Sequence, residues 1–178
     1  DVTFPAERPG HVVVHAGRTV LFDDGTGTVL SLDSSSVSAG PDAGHVRGLT
    51  ASTPHHGVGV ELSDGILLVS EGDTEQRSGV RALDADGHEL ASSTQCPGVH
   101  GEAVAANESV VFGCEDGALV WADGGFTKIA SPDADGRLGT LVGSDASDVI
   151  LADYTATERT LAEGTSLVAL IDTRAATM

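Results

Sequence analysis

The chain has 178 residues, of which 40% are hydrophobic and only 3% aromatic, and its formal net charge is −18 at pH 7. A chain of this length can bury a core as one domain, and a core built on Val, Leu, Ile and Ala favours strands. The negative net charge, with Lys128 as the single lysine, excludes electrostatic binding of nucleic acid or anionic lipid. No apolar run approaches the length of a membrane-spanning helix, so no membrane insertion is expected.

Short apolar runs of strand length recur along the chain between Gly, Asp, Asn and Ser turn signals, and no segment keeps a helical period. They form four triplets: HVVVHA, TVLFDD and TVLSLD; GVGVEL, ILLVSE and VRALDA; GEAVAA, VVFGCE and LVWADG; GTLVGS, VILADY and LVALID. Each third member ends in an aspartate before a turn, at Asp33, Asp84, Asp123 and Asp172. Fourth strands are predicted at VRGLTA, HELASS and FTKIAS, and none is predicted in the last unit.

A period of about 40 to 50 residues with three or four short strands per unit is typical of a β-propeller blade. We therefore predict an all-β fold, a partial propeller of about four blades. It forms one segment over residues 1–178, with blades at about 11–54, 55–98, 99–135 and 136–178. A β-sandwich would also give many short strands, but the repeated Asp-ended third strand favours the propeller. Because both ends of the series leave an open blade edge, we expect the remaining propeller blades from a missing segment or a second chain.

The two cysteines, Cys96 and Cys114, lie close together in the predicted hairpin. A turn at Asn107 and Glu108 would place Cys114 opposite Gly101, just downstream of Cys96. This register favours a disulfide over two free buried thiols. A disulfide would indicate an oxidising compartment.

The first strands of three repeats align as PGHVVVHAG, PHHGVGVEL and GVHGEAVAA, which puts His11, His56 and His100 at one equivalent position, at intervals of 45 and 44 residues. Because the first strand of each propeller blade lines the central channel, the three imidazoles are expected to converge. The alternation of side chains along a strand places Glu102 on the same face as His100 and points His55 away from His56.

The predicted metal ligands are His11, His56, His100 and Glu102, with His55 as an accessory residue. Three imidazole nitrogens and a carboxylate suit tetrahedral Zn²⁺, whereas Ca²⁺ or Mg²⁺ would need mainly oxygen ligands. The alternative interpretation is that these histidines are ordinary residues at strand starts, and Cys96 is a further alternative ligand. No P-loop, G-x-G-x-x-G, H-E-x-x-H or G-x-S-x-G motif is present, so no catalytic residue is predicted.

Four segments of the chain resemble the AztD-type zinc metallochaperones: ERPGHVVVHAGRTVLFDDGTGTV, PHHGVGVELSDGILLVS, GVRALDADG and CPGVHGEAVAANESVVFGCEDGALV. The resemblance implies a secreted, periplasmic or extracellular β-propeller that delivers zinc to the solute-binding protein of an ABC-type zinc importer. Family members carry a His- and Asp-rich acidic segment before the matching part, and its absence from the sequence leads us to expect a fragment or one piece of a nicked chain. Two alternatives stay open, a metal-dependent propeller enzyme of lyase or lactonase type and a metal-free interaction propeller.

Overall fold

The computed structural model describes residues 2–42, 44, 46–156 and 167–178 of the chain. Its strands in the first half of the chain are β1 (Pro9–His15), β2 (Arg18–Asp23), β3 (Thr28–Asp33), β4 (Val46–Thr50), β5 (Gly59–Glu61), β6 (Leu67–Gly72), β7 (Arg77–Leu83) and β8 (Glu89–Ser93). Those in the second half are β9 (Glu102–Val104), β10 (Val110–Cys114), β11 (Gly117–Ala122), β12 (Gly125–Ala130), β13 (Arg137–Ser144), β14 (Ser147–Thr155) and β15 (Leu167–Asp172). A 3-10 helix, Ser34–Ala39, follows β3.

The strands form four antiparallel sheets of consecutive strands, in the orders β1-β2-β3-β4, β5-β6-β7-β8, β9-β10-β11-β12 and β13-β14-β15. Such a meander, repeated along the chain, is the topology of a propeller blade. All strands of the four predicted triplets are present, and the three predicted fourth strands are β4, β8 and β12. The predicted all-β fold is confirmed.

By its contacts the chain divides into two compact units, residues 1–92 and 93–178. In each unit, alternate residues of the strands build an apolar core. The core of the first unit consists of Val20, Phe22, Val29, Ala51, Leu67 and Val69. The core of the second includes Val111, Val120, Leu138, Leu141, Ile150 and Ile171. Among the described residues, no helix has the length and apolar character needed to cross a bilayer.

Each unit also exposes apolar side chains on one face of a sheet. In the first unit Val12 and Val14 of β1 are 64% and 67% exposed. In the second, Val142, Leu151 and Leu170 form one cross-strand row, and all three are exposed. A sheet face of this composition is normally covered by another layer of protein.

The hairpin between β9 and β10 differs by one residue from the predicted register. Val110 pairs with Val104 and Phe112 with Glu102, and continuation of this register places Cys114 level with His100 instead of Gly101. The cause is a three-residue loop in place of the predicted two-residue turn. Its last residue, Glu108, is left-handed with φ of 63° and donates its N–H to the Ala105 carbonyl at 3.0 Å.

The predicted disulfide between Cys96 and Cys114 is confirmed despite this shift. The two Cα atoms are 5.0 Å apart, and both residues are fully buried. The bridge joins the segment before His100 to the end of β10.

Candidate metal centre

His11 and His56 lie side by side in the first unit. Their ring centroids are 5.0 Å apart with planes tilted by 54°, and each ring offers a nitrogen within 4.8 Å of a nitrogen of the other. Two nitrogens bound to one tetrahedral zinc ion are about 3.4 Å apart, since each Zn–N bond is about 2.0–2.1 Å long. This proximity makes the two rings candidate ligands of one ion.

His11 lies at a backbone irregularity of β1, whereas His56 lies in the segment before β5. The register of β1 with β2 shifts between Pro9 and Val12, so His11 lies in a bulge, a feature that re-aims side chains. His56 lies three residues before β5, and its side chain is 44% exposed. The pair is therefore accessible from solvent through His56.

Asp24 holds the ring of His56. The Nδ1 atom of His56 lies 2.6 Å from Oδ2 of Asp24, and the N–H of Gly57 donates to Oδ1 at 3.3 Å. Asp24 is 8% exposed, and a Cβ atom at Gly10 would lie only 2.2 Å from its Oδ1. The carboxylate thus packs against the glycine before His11 and binds the glycine after His56. Sequence reasoning missed Asp24, which it treated as the end of a strand.

His100 is oriented in a similar way within the second unit. Its Nδ1 atom is 3.1 Å from the Gly139 carbonyl oxygen, and its backbone N–H donates to Gly113 at 3.0 Å. Gly101 has φ of 52°, and a Cβ there would lie 2.2 Å from the same Gly139 oxygen. Only glycine fits this position without displacing backbone.

Glu102 begins β9 and is mostly buried. Because His100 lies outside the strand and Gly101 is left-handed, the strand alternation that predicted one shared face for His100 and Glu102 does not apply. Burial raises the pKa of Glu102 to about 8. The carboxyl group is therefore mainly protonated at neutral pH, and a cation beside it would favour the ionised form. Its role as a ligand stays a prediction.

His55 has a structural role that the sequence did not indicate. It is 2% exposed, with Nδ1 donating to the Thr53 carbonyl at 2.8 Å and Nε2 lying 2.9 Å from the Ser70 hydroxyl. A carbonyl only accepts, so Nδ1 carries the proton and Ser70 donates to Nε2. The Ser70 oxygen in turn accepts the N–H of Val58 at 2.9 Å. Both ring nitrogens serve the fold, and we leave His55 out of the ligand set.

A second group with metal-type side chains lies in the turn between β7 and β8. Asp84, Asp86 and His88 bring ligand atoms within 4.8 Å of one another. Oδ1 of Asp84 accepts the backbone N–H groups of Asp86 and His88 at 2.9 and 2.8 Å. This carboxylate closes the hairpin turn, which accounts for the cluster without an ion.

Comparison with known proteins bears on the chain as a whole. No protein-family model matches it. The zinc chaperone AztD of Citrobacter koseri is 26% identical in an alignment of 158 residues that covers 83% of this chain and 37% of AztD. The crystal structure of Citrobacter koseri AztD matches with a TM-score of 0.70 and 25% identity, covering 92% of this chain and 43% of that one. The predicted resemblance to AztD is confirmed. The chain spans less than half the length of AztD.

A third comparison bears on the fold alone. The β-propeller domain of Cps50 (Swd1) from Myceliophteria thermophila matches with a TM-score of 0.52 and 10% identity, covering 82% of this chain and 47% of that one. Together with the four meander sheets, this likeness confirms the propeller prediction over the sandwich. The AztD relative is named as a chaperone and not as an enzyme, in agreement with a sequence in which no catalytic residue is predicted.

Proposed function

We propose that this chain is the zinc-binding part of a metallochaperone, for which zinc is a cargo. The observation that carries the proposal is the His11–His56 pair, whose rings lie 5.0 Å apart in a chain similar to AztD. Zn²⁺ is a borderline-soft ion that imidazole nitrogens bind well, whereas Ca²⁺ and Mg²⁺ prefer oxygen ligands. The two imidazole donors of His11 and His56 therefore fit zinc.

The proposed ligands are His11 and His56, with His100 as the third and Glu102 as the fourth. His100 is included because it occupies the position equivalent to His11 and His56 in the sequence repeat. Its Nδ1 atom has a hydrogen-bond partner, as the Nδ1 atom of His56 does. Each imidazole must be neutral to bind a metal, so zinc affinity should fall as pH drops through about 6.5, the usual histidine pKa.

We propose that the zinc is passed on to the solute-binding protein of an ABC-type zinc importer by ligand exchange. A carrier has to present its ion to the acceptor, and the 44% exposure of the His56 side chain supports such an approach. The net charge of −18 attracts cations in general. The disulfide between Cys96 and Cys114 supports a secreted, periplasmic or extracellular location, where such bonds persist.

We further propose that additional propeller blades cover the two exposed apolar faces, supplied by a segment outside this sequence or by a second chain. The exposed valines of β1 and the apolar row of β13, β14 and β15 support this arrangement. So does the greater length of AztD, of which this chain spans 43%.

A transfer experiment tests the proposed function. The protein is loaded with one equivalent of zinc, mixed with a metal-free zinc solute-binding protein, and the two are separated by ion exchange for metal analysis. We expect zinc to move to the acceptor faster than it appears in a chelator of equal affinity, because transfer occurs within a complex. Failure to bind zinc at all, or transfer no faster than release to the chelator, would overturn the chaperone assignment.

A further inference from the structure

We propose that Asp24 is the positioning residue of this metal centre, which holds His56 in the tautomer that binds the ion through Nε2. The inference rests on the proposed zinc site and assigns a role to a residue that is not itself a ligand. Its basis is the 2.6 Å contact between Oδ2 of Asp24 and Nδ1 of His56.

The chemistry of the two groups determines the tautomer. An ionised carboxylate only accepts hydrogen bonds, so the proton in this contact belongs to Nδ1 of His56. A neutral imidazole carries one proton, and Nε2 therefore holds the lone pair that a metal needs. A carboxylate behind a ligating histidine also makes the ring a better donor to the metal.

The packing around Asp24 ties this carboxylate to both histidine-bearing segments. The Asp24 backbone N–H donates to the Arg8 carbonyl at 2.9 Å, which anchors the residue beside the start of β1. Its side chain fills the space left by the missing Cβ of Gly10, next to His11, and accepts the N–H of Gly57, next to His56. One buried side chain thus sets the position of His56 relative to the backbone that carries His11.

His100 shows the same tautomer with a weaker partner. The Gly139 carbonyl also only accepts, so Nδ1 of His100 carries its proton as well and Nε2 holds the lone pair. The partner of His100 is neutral, whereas that of His56 is charged, and charge-assisted hydrogen bonds are about twice as strong as neutral ones. We therefore expect Asp24 to have the larger influence on metal affinity.

The decisive variant is Asp24→Asn, which keeps the size of the side chain and an acceptor for Gly57 but removes the charge. We expect zinc affinity, measured against a competing chelator, to fall roughly 10- to 100-fold. Nitrogen-15 NMR of the histidine rings should show the His56 Nδ1–H tautomer in the metal-free parent and a mixture of tautomers in Asp24→Asn. The charge control is Asp33→Asn in the same unit, which should leave affinity and tautomer unchanged.

A second variant displaces the carboxylate without removing any polar group. In Gly10→Ala the new Cβ would lie 2.2 Å from Oδ1 of Asp24, and we expect a loss of zinc affinity and of the single His56 tautomer. The matched control is Gly48→Ala, whose Cβ meets its nearest atom at 3.5 Å. Thermal unfolding of each variant verifies that it is folded. If Gly10→Ala is not folded, the inference is judged from Asp24→Asn alone.

The outcomes separate this inference from the proposed function. If the parent binds zinc and His56→Ala weakens it, while Asp24→Asn binds as tightly as the parent, the positioning role is wrong and the zinc site stands. The role is also wrong if affinity falls in Asp24→Asn while His56 keeps a pure Nδ1–H tautomer, because the effect is then electrostatic. If the parent binds no zinc, the proposed function fails, and the tautomer measurement on the metal-free protein still decides whether Asp24 orients His56.

Discussion

His11 and His56 are separated by 45 residues in sequence, yet their ring centroids lie 5.0 Å apart. The four-stranded sheet β1-β2-β3-β4 spans most of this separation, so that His11 lies in the first strand of that sheet and His56 lies three residues before the first strand of the next. A repeat of strand triplets therefore brings together side chains that no local motif connects.

We predict that His55 contributes to stability and not to metal binding, in contrast to its neighbour His56. His55→Ala leaves the buried Ser70 hydroxyl and the Thr53 carbonyl without their ring partner, so we expect a loss of about 2 kcal/mol in the free energy of unfolding. Zinc affinity should stay within about twofold of the parent, a change worth less than ~0.5 kcal/mol. Urea denaturation and chelator competition on the same preparation measure both quantities. A folded, fully stable His55→Ala variant that has lost zinc binding would show that His55 is a ligand.

The disulfide should be a large part of the stability of the second unit. It closes a loop with a sequence separation of 18 residues, and replacement of both cysteines by alanine is expected to cost about 3 kcal/mol. Denaturant unfolding of Cys96→Ala/Cys114→Ala measures the loss, and intact mass after alkylation, with and without reductant, verifies the bridge in the parent. Equal midpoints for parent and double variant would contradict the expectation.

The contribution of Asp23 to stability is predicted to disappear in acid. Burial alone would raise its pKa, but hydrogen bonds from the Arg8 N–H, the Thr26 hydroxyl and the N–H groups of Glu7 and Gly25 lower it to about 2. A lowered pKa in the folded state stabilises the protein above the unfolded value of 3.8, and this stabilisation is lost as pH falls toward 2.

The variant Asp23→Asn tests whether the ionised Asp23 stabilises the folded protein and whether this stabilisation is lost in acid. At pH 5 it should be less stable than the parent, and the difference should shrink as pH falls through about 4 to about 2. Denaturant midpoints measured at intervals across this range give the answer. A stability difference that is constant with pH, or that grows in acid, would show that the charge of Asp23 plays no part.

The exposed apolar faces give a prediction about the proposed additional blades. If the proposed additional blade covers β1, a cysteine placed at Val14, which is 67% exposed, should react with a thiol reagent far more slowly than one placed at the exposed Glu75. Peptide mass spectrometry after timed labelling gives both rates. Equal rates at the two positions would mean that nothing covers this face.

The strands were predictable from the sequence because turn residues and two-residue alternation are local signals. TVLSLD and LVALID became β3 and β15 with the expected bounds. The register of β9 with β10 was not predictable from the sequence. A non-glycine residue in the left-handed conformation, here Glu108, has no distinct sequence signal. A three-residue loop and a two-residue turn therefore could not be told apart.

The candidate metal centre was predictable only in part. The repeat aligned His11 with His56, and the structure places these rings together. Asp24 was missed because its partner lies 32 residues away and the contact depends on the packing of one sheet against the next. The structural role of His55 was missed for the same reason, since its partner Ser70 lies on the neighbouring strand β6.

The central claim is most directly tested by a zinc titration against a competing chelator for the parent, His11→Ala, His56→Ala and the control His15→Ala, which changes a histidine on the same strand as His11. We predict one tight site in the parent and a loss of roughly tenfold or more, at least about 1.4 kcal/mol, in each of the first two variants. His15→Ala should bind as the parent does. Parent-like affinity in both His11→Ala and His56→Ala would contradict the account, because the paired imidazoles would then not hold the ion.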